Sequence, residues 1–399
     1  MKIIERTTYL DKLIDCIGTP DIKVITGIRR CGKSILISQF SDYLRKNMKN
    51  LNLIYIDLQQ LDYSDLLEYE SLHEFCIKKH KKNKNNVLII DEVQLCNGFE
   101  KAINSLHAKK IYDIYLTSSN AFLLSSDLVT LFTGRTAEIE VFPFSFSEYL
   151  QYFENDDVQD AFDEYFMIGG MPGSYEYREE ARRYAYISDV YYTIIERDLV
   201  QKYKLRNRKE LMQLSDFMLD NISNLTSPHN ICLELNKDHS AITDKTVSKY
   251  ISYLERSFIL YSATRYDLKG KKYLRSNSKY YVADHGMRYA VLGTRNLDYG
   301  KTYENMVYLE LKRRGYDVYV GKLYQKEIDF VATRQSEKIY IQVSDDITRE
   351  KTFKREYEPL LAIKDGYPKI IIARTRHPEY QYEGIHIFDI AKWLSDGEL

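Results

Sequence analysis

The sequence predicts an α/β fold with several domains, the first of which contains a parallel sheet covered by helices. Three observations support this prediction. The chain has 399 residues, whereas a single domain usually has about 100–200. From residue 21 to residue 143, short apolar runs alternate with helical segments. Each run is almost continuously apolar, which is typical of a parallel sheet buried on both faces.

Five such runs are the predicted strands of this sheet: residues 23–26, 53–57, 87–90, 111–116 and 137–142. After residue 144 the pattern becomes helical, and the segment G-G-M-P-G at 169–173 interrupts it because it cannot continue a helix. Three further helices and a hairpin are predicted between about residues 206 and 285. From residue 302 onward we expect a helix, three strands, a second helix and two more strands.

The composition excludes two classes of protein. Apolar residues make up 44% of the chain and charged residues 29%, so the chain is not disordered. The formal net charge of −1 excludes a uniformly basic nucleic-acid binder, and any such role requires local basic patches. The first residues carry charges where a signal peptide has an apolar run, and no later stretch reaches about 18 apolar residues. We therefore expect no contact with a membrane.

The cysteines indicate a reducing compartment. Their number is odd, they are scattered, and no two form a C-x-x-C pair, which argues against a disulfide framework and against a zinc site. The five are Cys16, Cys31, Cys76, Cys96 and Cys232. We expect the protein to be cytoplasmic.

The segment between the first predicted strand and the next helix has the pattern G-x-x-x-x-G-K-S. It consists of Gly27, Ile28, Arg29, Arg30, Cys31, Gly32, Lys33 and Ser34. The glycines allow backbone N–H groups to surround a phosphate at the N-terminus of a helix, where the dipole favours anions. Lys33 is expected to reach the β- and γ-phosphates, and the Ser34 hydroxyl is expected to bind Mg²⁺.

Two acidic residues follow the third predicted strand, V-L-I-I. Asp91 comes first, at the strand end beside the phosphates, and is predicted to hold Mg²⁺ through water. Glu92 is predicted to orient or deprotonate the attacking water. The chain contains no guanine-reading N-K-x-D element, so adenine is the expected base. The sequence thus predicts binding and hydrolysis of Mg-ATP.

Polar residues follow the fourth predicted strand, and an arginine precedes the fifth. A polar side chain at this strand end is expected to contact the γ-phosphate or the attacking water. We favour Asn120, then Ser119, with the cap of the following helix as the alternative. Arg135 is predicted to stabilise transition-state charge, within the chain or across a subunit boundary, with a surface salt bridge as the alternative.

These motifs together resemble a bacterial and archaeal family of P-loop ATPases. The resemblance rests on G-I-R-R-x-G-K-S, D-E-V-Q, the S-N strand end, the G-R before E-V-F-P-F-S-F-S-E-Y, and G-G-M-P. The family is AAA-related, and its members carry a C-terminal domain of unknown function. The resemblance extends from Arg6 to the final strands and implies ATP binding and ATPase activity. Ser118 and Cys31 depart from the usual family residues, but neither change removes a phosphate or metal contact.

The three helices and the hairpin between residues 206 and 285 have the arrangement of a winged helix. The recognition helix would present Lys245 and Lys249, and the wing would present Lys271 and Lys272 within a local basic excess. Such lysines suit contacts with the phosphates of DNA. The alternative is a winged helix that packs within the protein or against a partner.

The C-terminal segment resembles the restriction-endonuclease-like fold. In that fold a helix Glu, a strand Asp and an E-x-K or Q-x-K tripeptide bind Mg²⁺ and water, and Glu304, Asp329 and Gln342 match three of these positions. Ser344 replaces the expected lysine. Lys351 or Lys354 on the following helix lies within plausible reach as a substitute. We predict a degenerate domain that does not cleave nucleic acid.

The predicted domains are a P-loop ATPase core (1–143), a helical lid (144–205), a winged helix (206–285) and a restriction-endonuclease-like domain (286–399). The predicted function is an ATPase switch or motor that acts on nucleic acid or on a protein partner, which includes a second copy of the chain. One alternative is an ATP-gated nuclease. The other is a regulator that binds ATP without significant hydrolysis.

Overall fold

The computed structural model describes residues 2–118, 132, 134–237, 242–294 and 298–396. The chain divides into two compact units. The N-terminal unit comprises residues 2–141 with 256–258, and the C-terminal unit comprises residues 142–255 with the chain from 259 onward. None of the helices in the described ranges combines the length and apolar character that crossing a bilayer requires.

The N-terminal unit is a sheet with helices between its strands. The strands are β1 (Ile22–Thr26), β2 (Leu51–Asp57), β3 (Asn85–Asp91), β4 (Asp113–Thr117) and β5 (Thr136–Glu140). The helices are α1 (Thr7–Asp15), α2 (Lys33–Asn47), α3 (Tyr69–Lys79) and α4 (Phe99–Ala108). The strand order is β2-β3-β4-β1-β5, and every neighbouring pair is parallel. The predicted parallel sheet of five strands is therefore confirmed.

The strand order determines which residues meet at the carboxyl edge of this sheet. β4 lies between β3 and β1, and Ile25 is in register with Thr117, while Ile90 is in register with Leu116. The loop after β1, the acidic residues after β3 and the end of β4 consequently lie side by side. Both faces of β1 are buried, as the continuous apolar run predicted.

The C-terminal unit begins with helices and ends in a large sheet. Its helices are α5 (Phe146–Phe153), α6 (Val158–Ile168), α7 (Glu180–Thr193), α8 (Arg208–Asp220), α9 (Pro228–Asn236), α10 (Asp244–Arg256, whose last residue belongs to the N-terminal unit), α11 (His285–Leu292), α12 (Tyr299–Arg313), α13 (Glu350–Leu361) and α14 (Ile390–Ser395). A π-helix, Ile194–Gln201, continues α7. The strands are β6 (Leu260–Asp267), β7 (Lys272–Val282), β8 (Asp317–Leu323), β9 (Lys326–Arg334), β10 (Glu337–Ser344), β11 (Lys369–Ala373), β12 (Tyr380–Tyr382) and β13 (Ile385–Asp389).

The hairpin that we expected to form a wing belongs to this sheet. The strand order is β12-β13-β11-β10-β9-β8-β6-β7, and β6 pairs in parallel with β8 from Arg265↔Val320 to Asp267↔Lys322. A hairpin has the same local sequence pattern whether it stands alone or extends a sheet, so the pairing with β8 left no signal in the sequence. The final segment also contains three strands and a helix where we expected two strands.

The glycines of the G-G-M-P segment permit a close approach of main chains. A Cβ on Gly170 would lie 2.2 Å from Phe144 O, and one on Gly286 would lie 2.1 Å from Ile168 O. The Asp284 carboxylate accepts hydrogen bonds from the N–H groups of Gly170 (2.5 Å) and Gly286 (2.8 Å). This part of the motif is therefore explained by packing within the C-terminal unit.

Candidate nucleotide site and a second acidic centre

The loop between β1 and α2 requires its two glycines. Gly27 has φ +134°, and a Cβ there would lie 2.1 Å from Val141 O. Gly32 has φ +103° and caps the N-terminus of α2. A side chain at either position would be strained, and at Gly27 it would also collide with the neighbouring strand segment. The loop thus brings its backbone N–H groups to the start of a helix, where an anion is favoured.

The side chain of Lys33 is held inside this loop. Its Nζ donates hydrogen bonds to Gly27 O at 2.9 Å and to Ile28 O at 3.0 Å, and the residue is 5% exposed. A carbonyl is a weaker partner for an ammonium than a phosphate is, because bonds between two charged groups are stronger. Lys33 is therefore positioned to exchange these carbonyls for a bound phosphate.

Two other loop residues turn their side chains inward. Ile28 and Cys31 are fully buried, and Cys31 Sγ donates to Val141 O at 3.2 Å. Only their main chains are therefore available to a nucleotide. Arg6, from the segment before α1, donates from Nη1 to Cys31 O at 2.9 Å and is itself buried. No sequence pattern predicted this contact, because Arg6 precedes the loop by more than 20 residues.

Asp91 is a buried carboxylate surrounded by hydroxyl groups. It accepts hydrogen bonds from Ser34, from Thr117 Oγ1 and, at 3.3 Å, from Tyr55 OH. Burial raises the pKa of Asp91, and the bonds from Thr117 and Ser34 oppose this increase. Burial and the neighbouring Asp91 raise the pKa of Tyr55, so its hydroxyl remains a donor. The predicted pair of Ser34 and Asp91 is brought together in the described structure.

Glu92 is fixed directly beside this carboxylate. Its backbone has φ +55° and ψ +48°, a left-handed conformation that is uncommon for residues other than glycine. Its N–H donates to Thr117 Oγ1 at 3.0 Å, and Gln94 Nε2 donates to its carboxylate. The residue is 8% exposed. Strained backbone of this kind is concentrated at functional sites, where surrounding contacts hold it.

Thr117 is a site residue that sequence reasoning missed. Its hydroxyl donates to the Asp91 carboxylate and accepts from the Glu92 N–H, so one side chain bridges both acids. Among the polar residues after β4 we had favoured Asn120 and Ser119, which lie outside the described residues. The pairing of β3 with β4 explains the position of Thr117. Ile90 on β3 pairs with Leu116 on β4, so the next residue of β4, Thr117, lies level with the acids that follow Ile90.

Arg135 does not reach this edge of the sheet within its own chain. It precedes β5, is exposed, and accepts a hydrogen bond from Ile22 N through its main-chain oxygen. Because β5 runs parallel to β1, Arg135 lies at the amino edge, and the loop lies at the carboxyl edge. Five residues of strand separate the two edges by about 16 Å. Within its own chain, Arg135 therefore lies at the edge of the sheet opposite the loop.

The lysines predicted to contact DNA are exposed on two elements. Lys245 and Lys249 lie on α10, and Lys249 Nζ is 5.7 Å from the ring centroid of Tyr253. Lys271 and Lys272 lie at the tip of the β6–β7 hairpin. Sequence reasoning did not identify the aromatic residues at this tip.

The C-terminal sheet contains a second acidic centre. Glu304 on α12 and Asp329 on β9 share one partner, Lys279 on β7. Gln342 lies beside them and contacts Asp329 through the Asp329 main chain. The Ser344 hydroxyl donates to Asp346 O.

The substitute lysines that we predicted are engaged or exposed elsewhere. Lys354 is exposed, with its Nζ 3.6 Å from Glu358, and Lys351 is also exposed. Sequence reasoning missed Lys279 because it comes from a strand outside the predicted motif. Among the residues that the structure describes, no group of three or more His, Cys, Asp or Glu side chains is placed to hold a metal ion.

Comparison with protein families and known relatives gives a consistent but general result. Residues 19–150 match the family described as "AAA domain", and residues 159–298 match "Domain of unknown function (DUF8612)". An uncharacterized protein of Haemophilus influenzae is 35% identical over 398 residues, covering 98% of each chain. An uncharacterized protein of Methanocaldococcus jannaschii is 26% identical over 390 residues, covering 92% of this chain and 84% of the relative.

Two solved structures show distant similarity to this chain. The Aeropyrum pernix Orc1 protein in complex with DNA has a TM-score of 0.33 at 12% identity, covering 73% of this chain and 93% of that one. The replication initiator DnaA bound to AMPPCP and single-stranded DNA has a TM-score of 0.33 at 17% identity, covering 62% and 86%. Scores this low carry no argument about what this chain binds.

Proposed function

We propose that this chain, which belongs to the same family as the Haemophilus influenzae protein and contains an AAA domain, binds Mg-ATP and hydrolyses it. One observation carries the proposal. At a single sheet edge, a phosphate-type loop with a buried lysine lies beside Asp91, which accepts a hydrogen bond from Ser34, and beside Glu92. These are the groups that phosphoryl transfer to water requires.

Each group in this arrangement has a defined role. The Lys33 ammonium contacts the β- and γ-phosphates once it leaves the carbonyls of Gly27 and Ile28. The Ser34 hydroxyl and the Asp91 carboxylate form a set of oxygen donors that fits Mg²⁺. Mg²⁺, when bound, offsets negative charge on the phosphate oxygens. The remaining loop residues contribute main-chain N–H groups at the N-terminus of α2.

Glu92 acts as the base or as the group that orients water. Thr117 fixes its main chain, and Gln94 fixes its carboxylate, so the acid has a defined direction before any nucleotide binds. General bases of this kind contribute about 10²–10⁴ to a rate. The role of Asn120 at the γ-phosphate stays a prediction.

The position of Arg135 supports a proposal that several copies of this chain assemble. Since it lies at the edge opposite its own loop, its proposed role in catalysis requires the nucleotide site of another copy. An arginine supplied across a subunit boundary can stabilise transition-state charge. We therefore expect a homo-oligomer whose turnover per chain increases with protein concentration. A mixture of Arg135→Ala chains with Lys33→Ala chains tests this, because each supplies the group that the other lacks. No recovery of activity on mixing would contradict the role.

The direct test of ATPase activity is phosphate release by the purified protein in Mg²⁺. We expect turnover in the parent chain and loss in Glu92→Gln. Nucleotide binding without phosphate release from the parent chain would replace the proposal with that of an ATP-binding regulator. The five free cysteines agree with the proposed cytoplasmic location.

We propose nucleic acid as the partner, on the evidence of the hairpin tip. Lys269, Lys271 and Lys272 are exposed there. Tyr273 is 62% exposed, as is Tyr324, which lies 4.8 Å from Lys269 Nζ measured to its ring centroid. Exposed aromatic rings between lysines suit single strands, because bases stack on the rings while the lysines contact phosphates.

The experiment compares fluorescent single-stranded and double-stranded DNA at two salt concentrations. We expect Tyr273→Ala to weaken single-strand binding about 10-fold, in line with the usual contribution of one stacked base. Lys271→Ala and Lys245→Ala should each reduce the salt dependence of binding. Equal binding by Tyr273→Ala and the parent chain would remove the hairpin tip from the proposed interface. Tyr367, which is also exposed in this unit, provides the control Tyr367→Ala.

A further inference from the structure

The C-terminal unit contains a buried lysine among three carboxylates. The nearest oxygens to Lys279 Nζ are Glu304 Oε1 at 2.9 Å, Glu327 Oε1 at 2.9 Å and Asp329 Oδ1 at 3.2 Å. An ammonium group has three N–H donors, and three contacts use all of them. The Lys279 side chain is 5% exposed. It therefore has little access to solvent water.

The charge of this lysine is maintained by its surroundings. Burial alone would lower the pKa of Lys279, but the carboxylates of Glu304, Asp329 and Glu327 outweigh burial and raise that pKa well above its ordinary value. Tyr281 adds a further donor, with its OH 2.7 Å from Glu304 Oε1. The centre is thus a set of donors and acidic side chains within one unit, in which Glu327 is the most exposed member.

The third residue of the expected metal-binding set is engaged elsewhere. Gln342 Oε1 accepts a hydrogen bond from the Asp329 N–H at 2.7 Å, and its Nε2 donates to Glu356 Oε2 at 2.9 Å. The second oxygen of Asp329 accepts from the Val343 N–H at 3.0 Å. The polar groups around the expected metal position are therefore satisfied by the protein itself.

These residues do not fit Mg²⁺. The ion requires oxygen ligands at about 2.0–2.1 Å in near-octahedral geometry and usually retains several water molecules. Here the position between Glu304 and Asp329 is taken by the Lys279 ammonium, at hydrogen-bond distances. A divalent ion bound by the same oxygens would have to displace a buried charge.

We propose that the Lys279 ammonium is the permanent cation of this centre and takes the place that the sequence resemblance assigned to a divalent metal. It connects β7 to α12 and β9, so it holds the hairpin against the rest of the sheet. These contacts therefore anchor the strand that leads to the hairpin tip with the proposed DNA contacts. The inference concerns metal binding and does not rest on the proposed ATPase activity.

The experiment measures Mn²⁺ binding by the full chain without nucleotide, using the electron paramagnetic resonance signal of free Mn²⁺. All proteins carry Asp91→Asn, which removes the N-terminal metal ligand. We expect no saturable site in this background. Addition of Lys279→Met should create one Mn²⁺ site per chain, and further addition of Asp329→Asn should abolish it. Lys272→Met, at an exposed position of the same strand, should leave binding unchanged.

Thermal unfolding gives a second readout. We expect Mn²⁺ to leave the Tm of the background protein unchanged and to raise that of the Lys279→Met protein by at least about 3 °C, because a ligand that binds only the folded state stabilises it. The proposal would be overturned if the background protein bound one Mn²⁺ per chain and lost this binding when Asp329→Asn was added. A folded Lys279→Met protein that binds no Mn²⁺ would overturn it as well. If Lys279→Met does not fold, the background titration decides the question alone.

Discussion

The two acidic centres of this molecule differ in the groups that surround their carboxylates. In the N-terminal unit, Asp91 accepts hydrogen bonds from three hydroxyl groups, all of them neutral. In the C-terminal unit, the carboxyl groups of three acidic residues share the ammonium of Lys279. Neutral donors orient a carboxylate and leave its charge available to an incoming cation. An internal ammonium neutralises that charge in advance.

The difference shows that acidic residues on neighbouring elements are a weak indicator of metal binding. Glu304 and Asp329 satisfied the expected spacing as well as Ser34 and Asp91 did. What separates the two centres is the charge of the donor placed among the acids. The four predictions below test this comparison, from the largest expected effect to the smallest.

The first prediction concerns catalysis at the hydroxyl-lined centre. Glu92→Gln keeps the shape of the side chain and removes the base, so turnover should fall about 10²–10⁴-fold while ATP affinity changes little. Phosphate release and equilibrium nucleotide binding are measured separately. Glu70→Gln, an exposed residue on α3, is the matched control and should behave like the parent chain. Parent-level turnover in Glu92→Gln would require another residue as the base.

The second prediction concerns the Lys33 ammonium of the same centre. Lys33→Ala removes the ammonium that is held by loop carbonyls, and ATP affinity should fall about 100-fold, since bonds between charged groups contribute about 1.5–3 kcal/mol. Fluorescent ATP binding is the measurement, and Lys46→Ala, exposed on the same helix, is the control. Unchanged affinity would mean that Lys33 remains hydrogen-bonded to the carbonyls of Gly27 and Ile28 when nucleotide binds.

The third prediction concerns the neutral donors. Thr117→Val removes the bridge between Asp91 and the Glu92 N–H, and turnover should fall about 10-fold because a buried donor is left without a partner. Tyr55→Phe removes one longer bond to the same carboxylate and should have a smaller effect. Both are assayed across a range of Mg²⁺ concentrations. A larger loss in Tyr55→Phe would reverse the importance we assign to the two hydroxyls.

The fourth prediction concerns the pH dependence of the ammonium-containing centre. Burial raises the pKa of Glu304 to about 8, with Lys279 opposing the increase. A carboxyl whose pKa is raised on folding stabilises the protein at low pH, and this contribution is lost as pH rises through about 8. The loss between pH 7 and pH 9 should be about 1 kcal/mol in the free energy of unfolding.

Urea unfolding of the parent chain and of Glu304→Gln at several pH values measures this loss as a difference in slope. Glu350→Gln, exposed on α13, is the control and should retain the parent slope. Equal slopes in the parent chain and Glu304→Gln would show that Glu304 is ionised throughout the range. Three ionised carboxylates would then surround the Lys279 ammonium at every pH tested.

Local patterns allowed the sequence to predict much of the nucleotide site. The loop, the acids after β3 and the parallel strands are each encoded within a few consecutive residues, and the structure contains them. The position of Arg135 could also have been inferred, since a residue that precedes a parallel strand lies at the amino edge. The sequence analysis left open a role within the chain and a role across a subunit boundary.

The remaining site residues depend on contacts between distant segments. Thr117 requires the register of β4 against β3, and Arg6 requires the N-terminal segment to return to the loop. The Lys279 side chain reaches Glu304 on α12 and Asp329 on β9, although β8 and β6 lie between β9 and β7 in the sheet. None of these relations has a periodicity or a spacing along the chain, so composition and motif could not reveal them.

The left-handed backbone of Glu92 has a consequence for how this protein would respond to selection for heat resistance. A non-glycine residue in this conformation costs about 1 kcal/mol or more, and asparagine tolerates it better than glutamate does. Glu92→Asn should therefore melt at a higher temperature than the parent chain. A screen that scores only thermostability would enrich this substitution, and the enriched chains would have lost turnover.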